Sequence, residues 1–251
     1  MRMSFDLTGK TALVTGTSGG IGQAIAVGLA EAGASVVAVS ASNSDETVRM
    51  IREKGGFAAQ ISADLSQIDN LEPVFNEALA YYGSIDILVN NAGTIRRAPA
   101  AEHSRSDWFD VIDLNMNAVF FLSQLAGNHM IARGSGKIIN IASMLSFQGG
   151  INVPGYTASK HAVTGITKAL ANEWGGKGIQ VNAIAPGYID TRNTAPLMAD
   201  EKRSQAILER IPAGRWGLPK DLQGPAVFLA SAASDYMNGH ILCVDGGWLA
   251  R

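Results

Sequence analysis

The chain has 251 residues, of which 47% are hydrophobic and 17% charged, with a formal net charge of −2. This composition supplies one large α/β core and does not fit a disordered chain. The sequence has no basic run, which argues against binding to nucleic acid or a membrane surface. It has neither an N-terminal apolar signal segment nor an apolar stretch of about 18 residues, so we expect a soluble, cytoplasmic protein.

The cysteine and histidine residues bear on two further questions, whether the protein has a reactive thiol and whether it binds a metal. The single cysteine, Cys243, lies in the aliphatic run 241–244, where we expect a buried strand thiol. The four histidines are scattered and lack the spacing of metal ligands, so we expect no metal site.

The first motif is a glycine-rich turn between a strand and a helix. An apolar run at 10–15 precedes Gly-Thr-Ser-Gly-Gly-Ile-Gly at 16–22, and 23–30 has a helical pattern. Strand, glycine turn and helix together form the cradle that binds a dinucleotide pyrophosphate. The predicted cofactor-binding residues here are Gly16, Ser18, Gly20, Ile21 and Gly22.

The end of the second predicted strand, 33–40, bears on the choice of cofactor. In a dinucleotide-binding unit, an acidic residue at this point binds the ribose 2′-hydroxyl, and a nearby arginine accommodates a 2′-phosphate. This chain has Ser40 and Ala41 instead, with no lysine or arginine nearby. We therefore favour NAD, with NADP possible.

Strand and helix patterns alternate along the remaining chain. This alternation predicts an α/β protein: a single Rossmann-type domain over 1–251, with a doubly wound parallel sheet and helices on both faces. Polar motifs follow the ends of the strands, where such sheets bind ligands. The further predicted strands are 57–63, 85–89, 137–142, 180–185 and 241–244, and the predicted helices include 69–82, 106–132 and 219–230.

A tyrosine and a lysine lie four residues apart on a predicted helix over 156–172. This spacing places Tyr156 and Lys160 on one helix face, where an ammonium group can lower the pKa of a phenol toward the working range of a general acid or base. Chance spacing on a solvated helix is the alternative, and the other motifs argue against it.

Taken together, the motifs resemble those of the short-chain dehydrogenase/reductase family over nearly the full length. The matching residues are the glycine turn at 15–22, Asn-Asn-Ala-Gly at 90–93, Pro186-Gly187, and a catalytic tetrad of Asn115, Ser143, Tyr156 and Lys160.

The resemblance implies a role for each residue of the tetrad. Tyr156 would exchange a proton with the substrate oxygen, and Lys160 would lower the tyrosine pKa and bind the nicotinamide ribose. Ser143 would donate to the substrate carbonyl, and Asn115 would hold a water that links Lys160 to solvent. The family also implies a homotetramer. The further cofactor contacts that it implies are Asp64, Leu65, Asn91, Ala92, Gly93, Pro186, Gly187, Ile189 and Thr191.

Stretches outside these motifs resemble one group within the family, the 2-dehydro-3-deoxy-D-gluconate 5-dehydrogenases, which are also labelled 2-deoxy-D-gluconate 3-dehydrogenases. The stretches are 94–97, 143–150, 210–217 and 245–251. This resemblance implies hydride exchange between a nicotinamide cofactor and a deoxy-keto sugar acid.

A sugar-acid carboxylate calls for a cation, and arginine binds carboxylates best. The candidates are Arg96, Arg97 and Arg192, with Gln148 for a sugar hydroxyl, although these arginines could equally be surface charges. The alternatives in function are an NADPH-dependent 3-oxoacyl reductase, another sugar or polyol dehydrogenase and, from a different class, a nucleotide-sensing protein without turnover.

Overall fold

The computed structural model describes residues 5–251 and contains one seven-stranded sheet in which every neighbouring pair of strands is parallel. The spatial order is β3-β2-β1-β4-β5-β6-β7, so the chain crosses over between β3 and β4 and ligands are expected at the carboxyl edge near β1 and β4. The strands are β1 Thr11–Thr15, β2 Ser35–Ser40, β3 Ala58–Ser62, β4 Ile87–Asn90, β5 Gly136–Ile141, β6 Ile179–Pro186 and β7 Ile241–Val244.

Helices cover both faces of the sheet. They are α1 Gly20–Glu31, α2 Asp45–Glu53, α3 Leu71–Tyr82, α4 Arg105–Ile112, α5 Ala118–Arg133, α6 Pro154–Trp174, α7 Ala195–Ala199, α8 Glu201–Arg210 and α9 Gln223–Ala230. Side chains along a strand point alternately to the two faces, and in β1 Val14 packs with helices α1 and α9, whereas Leu13 packs with α3, α5 and α6. The predicted doubly wound α/β fold with a parallel sheet is thus confirmed.

The helix predicted over 106–132 is interrupted. A π-helical turn, Asp113–Asn117, separates α4 from α5. Asn115 at its centre is fully buried, and its carboxamide bonds to both backbone groups of Thr94. The widened turn directs this amide inward, and π-turns of this kind often occur at functional sites.

The expectation of a buried Cys243 is wrong. Cys243 is exposed in strand β7, which pairs only with β6 and forms an edge of the sheet. The aliphatic neighbours that suggested burial, Ile241, Leu242 and Val244, are themselves only partly covered.

An apolar cluster apart from the two faces of the sheet packs against the end of the chain and the region after β6. Trp248 packs with Met144, Ile207 and Ile211, and with the partly buried Tyr188. This cluster joins the loop after β5 to α8 and to the last residues of the chain. Within residues 5–251, no helix is both long and apolar enough to cross a membrane.

Candidate active site

The glycine turn between β1 and α1 is held closed by the loop that follows β4. Asn91 donates through Nδ2 to the carbonyl oxygens of Thr15 and Gly16, at 2.9 and 3.2 Å. A Cβ atom on Gly22 would lie 2.2 Å from the Gly16 oxygen, and one on Gly16 would lie 2.7 Å from Asn91 Nδ2. Only glycine permits this approach, whereas a Cβ atom on Gly19 would meet no other atom within 4 Å.

The turn borders a cleft of about 330 Å³ along the carboxyl edge of the sheet. Most of the predicted cofactor residues line this cleft together: Gly16, Ser18, Gly20, Ile21, Gly22, Ser40, Asp64, Leu65, Asn91, Ala92, Gly93, Tyr156, Lys160 and Thr191. The glycine cradle and the length of this lining fit a dinucleotide. The lining also includes seven residues that were not predicted as cofactor contacts, although Gly19 lies within the glycine motif: Gly19, Ala41, Ser42, Ala63, Leu114, Ile141 and Asn193.

Three predicted cofactor residues lie outside the cleft lining. Gly187 and Ile189 border a separate cavity of about 150 Å³, and Pro186 is buried as the last residue of β6. Gly187 is packed so closely that a Cβ would lie 2.6 Å from Asp245 Cα, and Ile189 points into the core. These residues therefore shape the turn that leads to Thr191, whose methyl group approaches the position of a Gly20 Cβ at 3.5 Å.

Tyr156 and Lys160 lie on one face near the start of α6, as predicted. Proline at the first position of this helix suits the start, because its missing N–H would have had no partner there. Lys160 Nζ lies 5.6 Å from the centre of the Tyr156 ring and donates to the Ile141 carbonyl at 2.6 Å. Burial lowers the pKa of Lys160 to about 8.

Burial and the neighbouring groups act on the pKa of Tyr156 in opposite directions. Burial raises this pKa, whereas a hydrogen bond with Ser143 and the positive charge of Arg97 lower it. Lys160 Nζ is bonded to the Ile141 carbonyl, and its effect on the pKa of Tyr156 stays a prediction.

Ser143 and Asn115 are both anchored to α6. Ser143 caps a short 3₁₀ turn by accepting from Leu145 N, and Ser146 in that turn donates to the Lys160 carbonyl at 2.7 Å. Asn115 Nδ2 also reaches Ser159 Oγ at 3.2 Å. The four residues of the tetrad thus belong to one connected set of contacts. Asn117 Nδ2 donates to Asp113 Oδ1 at 2.8 Å within the π-turn.

The three candidate arginines have different surroundings. Arg96 is held on the surface by Asp110 at 3.0 Å and Asp107 at 3.6 Å, so its charge is already matched. Arg97 acts on Tyr156 and donates to the Asn193 carbonyl at 2.7 Å, and Arg192 lines the cleft. The geometry therefore favours Arg97 and Arg192 over Arg96.

The comparisons with known proteins show the family to which the chain belongs. Residues 16–249 match a family model described as Enoyl-(Acyl carrier protein) reductase. The match covers most of the chain, and close relatives span nearly its full length. The chain belongs to the short-chain dehydrogenase/reductase family, and the predicted membership is confirmed.

Three proteins with similar sequences indicate which group within the family the chain resembles. The chain is 57% identical, over 99% of its length and 98% of the relative, to the 2-dehydro-3-deoxy-D-gluconate 5-dehydrogenase of Escherichia coli (strain K12). A solved structure from Agrobacterium tumefaciens, provisionally named a 2-deoxy-D-gluconate 3-dehydrogenase and containing NADP, is 55% identical over 100% of both chains with a TM-score of 0.92. The gluconate 5-dehydrogenase of Burkholderia cenocepacia J2315, in complex with NADP and tartrate, is 42% identical over 99% of this chain and 98% of its own, with a TM-score of 0.94.

Proposed function

We propose that this protein is an oxidoreductase that transfers a hydride between a nicotinamide dinucleotide and the secondary alcohol or ketone of a deoxy-keto sugar acid. The observation that carries the proposal is the placement of Tyr156 at the dinucleotide cleft, next to Ser143 and within the field of Arg97. The proposed substrate is 2-dehydro-3-deoxy-D-gluconate, which the name of the Escherichia coli relative contains, and oxidation at its carbon 5 gives 3-deoxy-D-glycero-2,5-hexodiulosonate.

The residues of the chain supply proton transfer and orientation, and the bound dinucleotide supplies or accepts the hydride. Tyr156 gives its proton to the substrate oxygen in reduction and takes the proton back in oxidation. Ser143 donates to the same oxygen and stabilises the negative charge that develops there. Lys160, placed under the Tyr156 ring with a pKa of about 8, carries the charge that binds the nicotinamide ribose. Asn115 bonds to Ser159, the residue before Lys160 in α6. That Asn115 holds a water linking Lys160 to solvent stays a prediction.

Arg97 is the proposed ligand of the substrate carboxylate. It lies on the loop after the Asn-Ala-Gly turn, it is exposed, and its charge reaches the Tyr156 phenol. A guanidinium group binds a carboxylate through two parallel hydrogen bonds. Arg192 is the second candidate, and Gln148 is a candidate for another substrate oxygen. The tartrate in the Burkholderia cenocepacia structure shows that a relative accommodates a carboxylic acid.

NAD is the proposed cofactor, and NADP is the alternative. The lining near the ribose end of the cleft consists of Ser18, Ser40, Ala41 and Ser42, which provide hydroxyls but no cation for a 2′-phosphate. The NADP in two related structures argues for the alternative. We further propose a cytoplasmic homotetramer made of single-domain subunits.

Initial rates of dinucleotide oxidation at 340 nm test the proposal. The substrates are the diketo hexulosonate, a 5-keto aldonate and a 3-oxoacyl thioester, each with NADH and with NADPH. We expect fastest turnover of the deoxy-keto sugar acid, and loss of turnover in Tyr156→Phe with dinucleotide binding retained. Activity confined to the thioester would overturn the substrate assignment and leave the catalytic residues standing. Full turnover by Tyr156→Phe would overturn the proton donor.

A further inference from the structure

The side chain of Gln148 is fixed by a residue near the end of the chain. Trp248 Nε1 lies 3.0 Å from Gln148 Oε1, a contact across 100 residues of sequence. An indole N–H can only donate, so the amide oxygen must face the indole and the amide nitrogen must face away. Gln148 Nε2 has no acceptor among residues 5–251, and it is not one of their buried polar atoms without a partner. The amide thus offers solvent a donor whose direction is set.

The indole that sets this direction is itself held firmly. Trp248 is 5% exposed, and the Arg210 guanidinium lies 4.0 Å above its ring. The Tyr188 ring packs beside it with centroids 4.7 Å apart. Stacking of this kind restricts the ring, so the hydrogen bond has a fixed origin.

The bond lies beside the catalytic residues and away from the dinucleotide. Gln148 follows Ser143 by five residues, and Trp248 packs on Met144 in the same loop. Tyr188 follows β6, the strand next to β5. Neither Gln148 nor Trp248 lines the dinucleotide cleft. Gln148 thus lies on the loop that carries Ser143, outside the lining of the dinucleotide cleft.

We propose that Gln148 selects substrates by donating to an oxygen that only accepts, and that Trp248 is the positioning residue that enforces this polarity. The inference rests on the proposed function and deepens it. A 2-oxo acid presents only acceptor oxygens at its carboxylate and keto groups. Arg97 and Gln148 both have N–H groups that can donate to these oxygens. A 2-hydroxy acid presents a hydroxyl at that end, which can also accept from Gln148 but whose own hydrogen finds no free acceptor on that side chain.

The substitution Gln148→Glu tests the polarity. Glutamate keeps an acceptor for Trp248 and replaces the outward donor with a carboxylate that repels the substrate. With the diketo hexulosonate, which is a 2-oxo acid, we expect the substrate KM to rise about tenfold or more. The variant loses a hydrogen bond to the substrate and gains a charge that repels it. The KM for the dinucleotide stays within about twofold. With a 5-keto aldonate that has a 2-hydroxyl, the rise is smaller, because that hydroxyl can donate to the new carboxylate. Equal changes with both substrates, or none with either, would overturn the proposal.

Trp248→Phe tests the positioning role, and Trp216→Phe is its matched control. Trp216 packs on Tyr188 in the same apolar cluster, and within residues 5–251 the hydrogen bond to Gln148 comes from Trp248 and not from Trp216. We expect Trp248→Phe to raise the KM for the 2-oxo acid about three- to tenfold at nearly constant kcat, and Trp216→Phe to leave both unchanged. In the double variant Gln148→Leu/Trp248→Phe the effect should equal that of Gln148→Leu alone, because Trp248 acts through Gln148. Additive effects would show that Trp248 serves packing only.

The wild-type protein separates the two possible failures. If it turns over no sugar acid, the proposed function fails. If it turns over the 2-oxo acid and Gln148→Glu does so with an unchanged KM, the proposed function stands and the donor role of Gln148 fails. Should Trp248→Phe not fold, Gln148→Glu alone decides the polarity.

Discussion

At the scale of single residues, burial of charge makes Lys160 costly to the protein without bound dinucleotide. Its pKa falls to about 8 from an ordinary 10.5, so between these values the unfolded chain binds more protons than the folded one. Stability therefore rises with pH through this window and is lowest below it. The site keeps a destabilising charge because it is useful for binding and proton transfer.

Removing that charge should stabilise the fold. We expect Lys160→Met to raise the free energy of unfolding by about 1–3 kcal/mol at pH 7, after allowance for the lost bond to Ile141. The gain should shrink as pH rises from about 8 toward 10. Chemical denaturation without dinucleotide, at pH 7 and 9.5, measures it. Lys168→Met, at an exposed position of the same helix, is the control. A gain that does not change with pH would contradict the assigned cause.

The adjacent Arg96 and Arg97 form a matched pair for substrate recognition. Arg97→Gln should raise the substrate KM about 10- to 100-fold, because a charge-assisted hydrogen bond to the carboxylate is lost. It should also shift the rise of the alcohol-oxidation rate with pH to higher pH, since oxidation needs deprotonated Tyr156 and Arg97 no longer lowers its pKa. Arg96→Gln breaks pairs with Asp107 and Asp110 on the surface and should change neither quantity. Initial rates over pH 6–10 measure both. The reverse pattern would move the carboxylate site to Arg96.

At the scale of elements, the turn between β2 and α2 controls the ribose end of the cleft. Ala41 is exposed and lines the cleft, so a longer side chain can be placed there without disturbing the core. Ala41→Arg should lower the KM for NADPH about 10-fold or more, because a guanidinium group pairs with a 2′-phosphate. Ala41→Gln, similar in length but uncharged, should not do so. Titration of both dinucleotides measures the preference. An unchanged ratio would place the 2′-position elsewhere.

Elements and motifs were predictable from the sequence to different degrees. The alternating apolar strands and the glycine turn depend on local patterns, and they lie within one or two residues of the predicted bounds. Tyr156 and Lys160 were also accessible, because helical spacing alone places them together. The π-turn at Asn115 was not, since the buried amide at its centre bonds to Thr94, 21 residues away in the sequence.

The substrate side was the least predictable part of the site. Arg96 and Arg97 are neighbours of the same type, and only the positions of Asp107, Asp110 and Tyr156 distinguish them. The Gln148–Trp248 bond joins residues 100 apart and has no periodic signature. Local pattern thus predicts what the backbone does, whereas the direction of a polar side chain depends on tertiary partners.

At the scale of the whole molecule, strand β7 leaves one edge of the sheet open. Edge strands offer unpaired backbone groups that proteins usually cover or blunt. Here the edge carries partly exposed Ile241, Leu242 and Val244 around exposed Cys243, and Tyr236 nearby is fully exposed. An aliphatic edge without a charged residue in the strand suits contact with a second copy, as the proposed homotetramer requires.

The reactivity of the Cys243 thiol tests whether a second copy of the chain covers β7. In a tetramer that covers β7, Cys243 should react with a disulfide reagent about 100-fold more slowly in the native protein than in the denatured one, since reaction requires a solvent-accessible thiolate. Partial burial and Asp245 raise the pKa of this thiol, so the comparison is made at pH 9 to limit that effect.

Leu242→Lys should place a charge in the contact, lower the mass measured by light scattering and restore the reactivity of Cys243. A native mass of one subunit together with a fast-reacting Cys243 would rule out the tetramer. A tetramer with a fast-reacting thiol would move the interface away from β7.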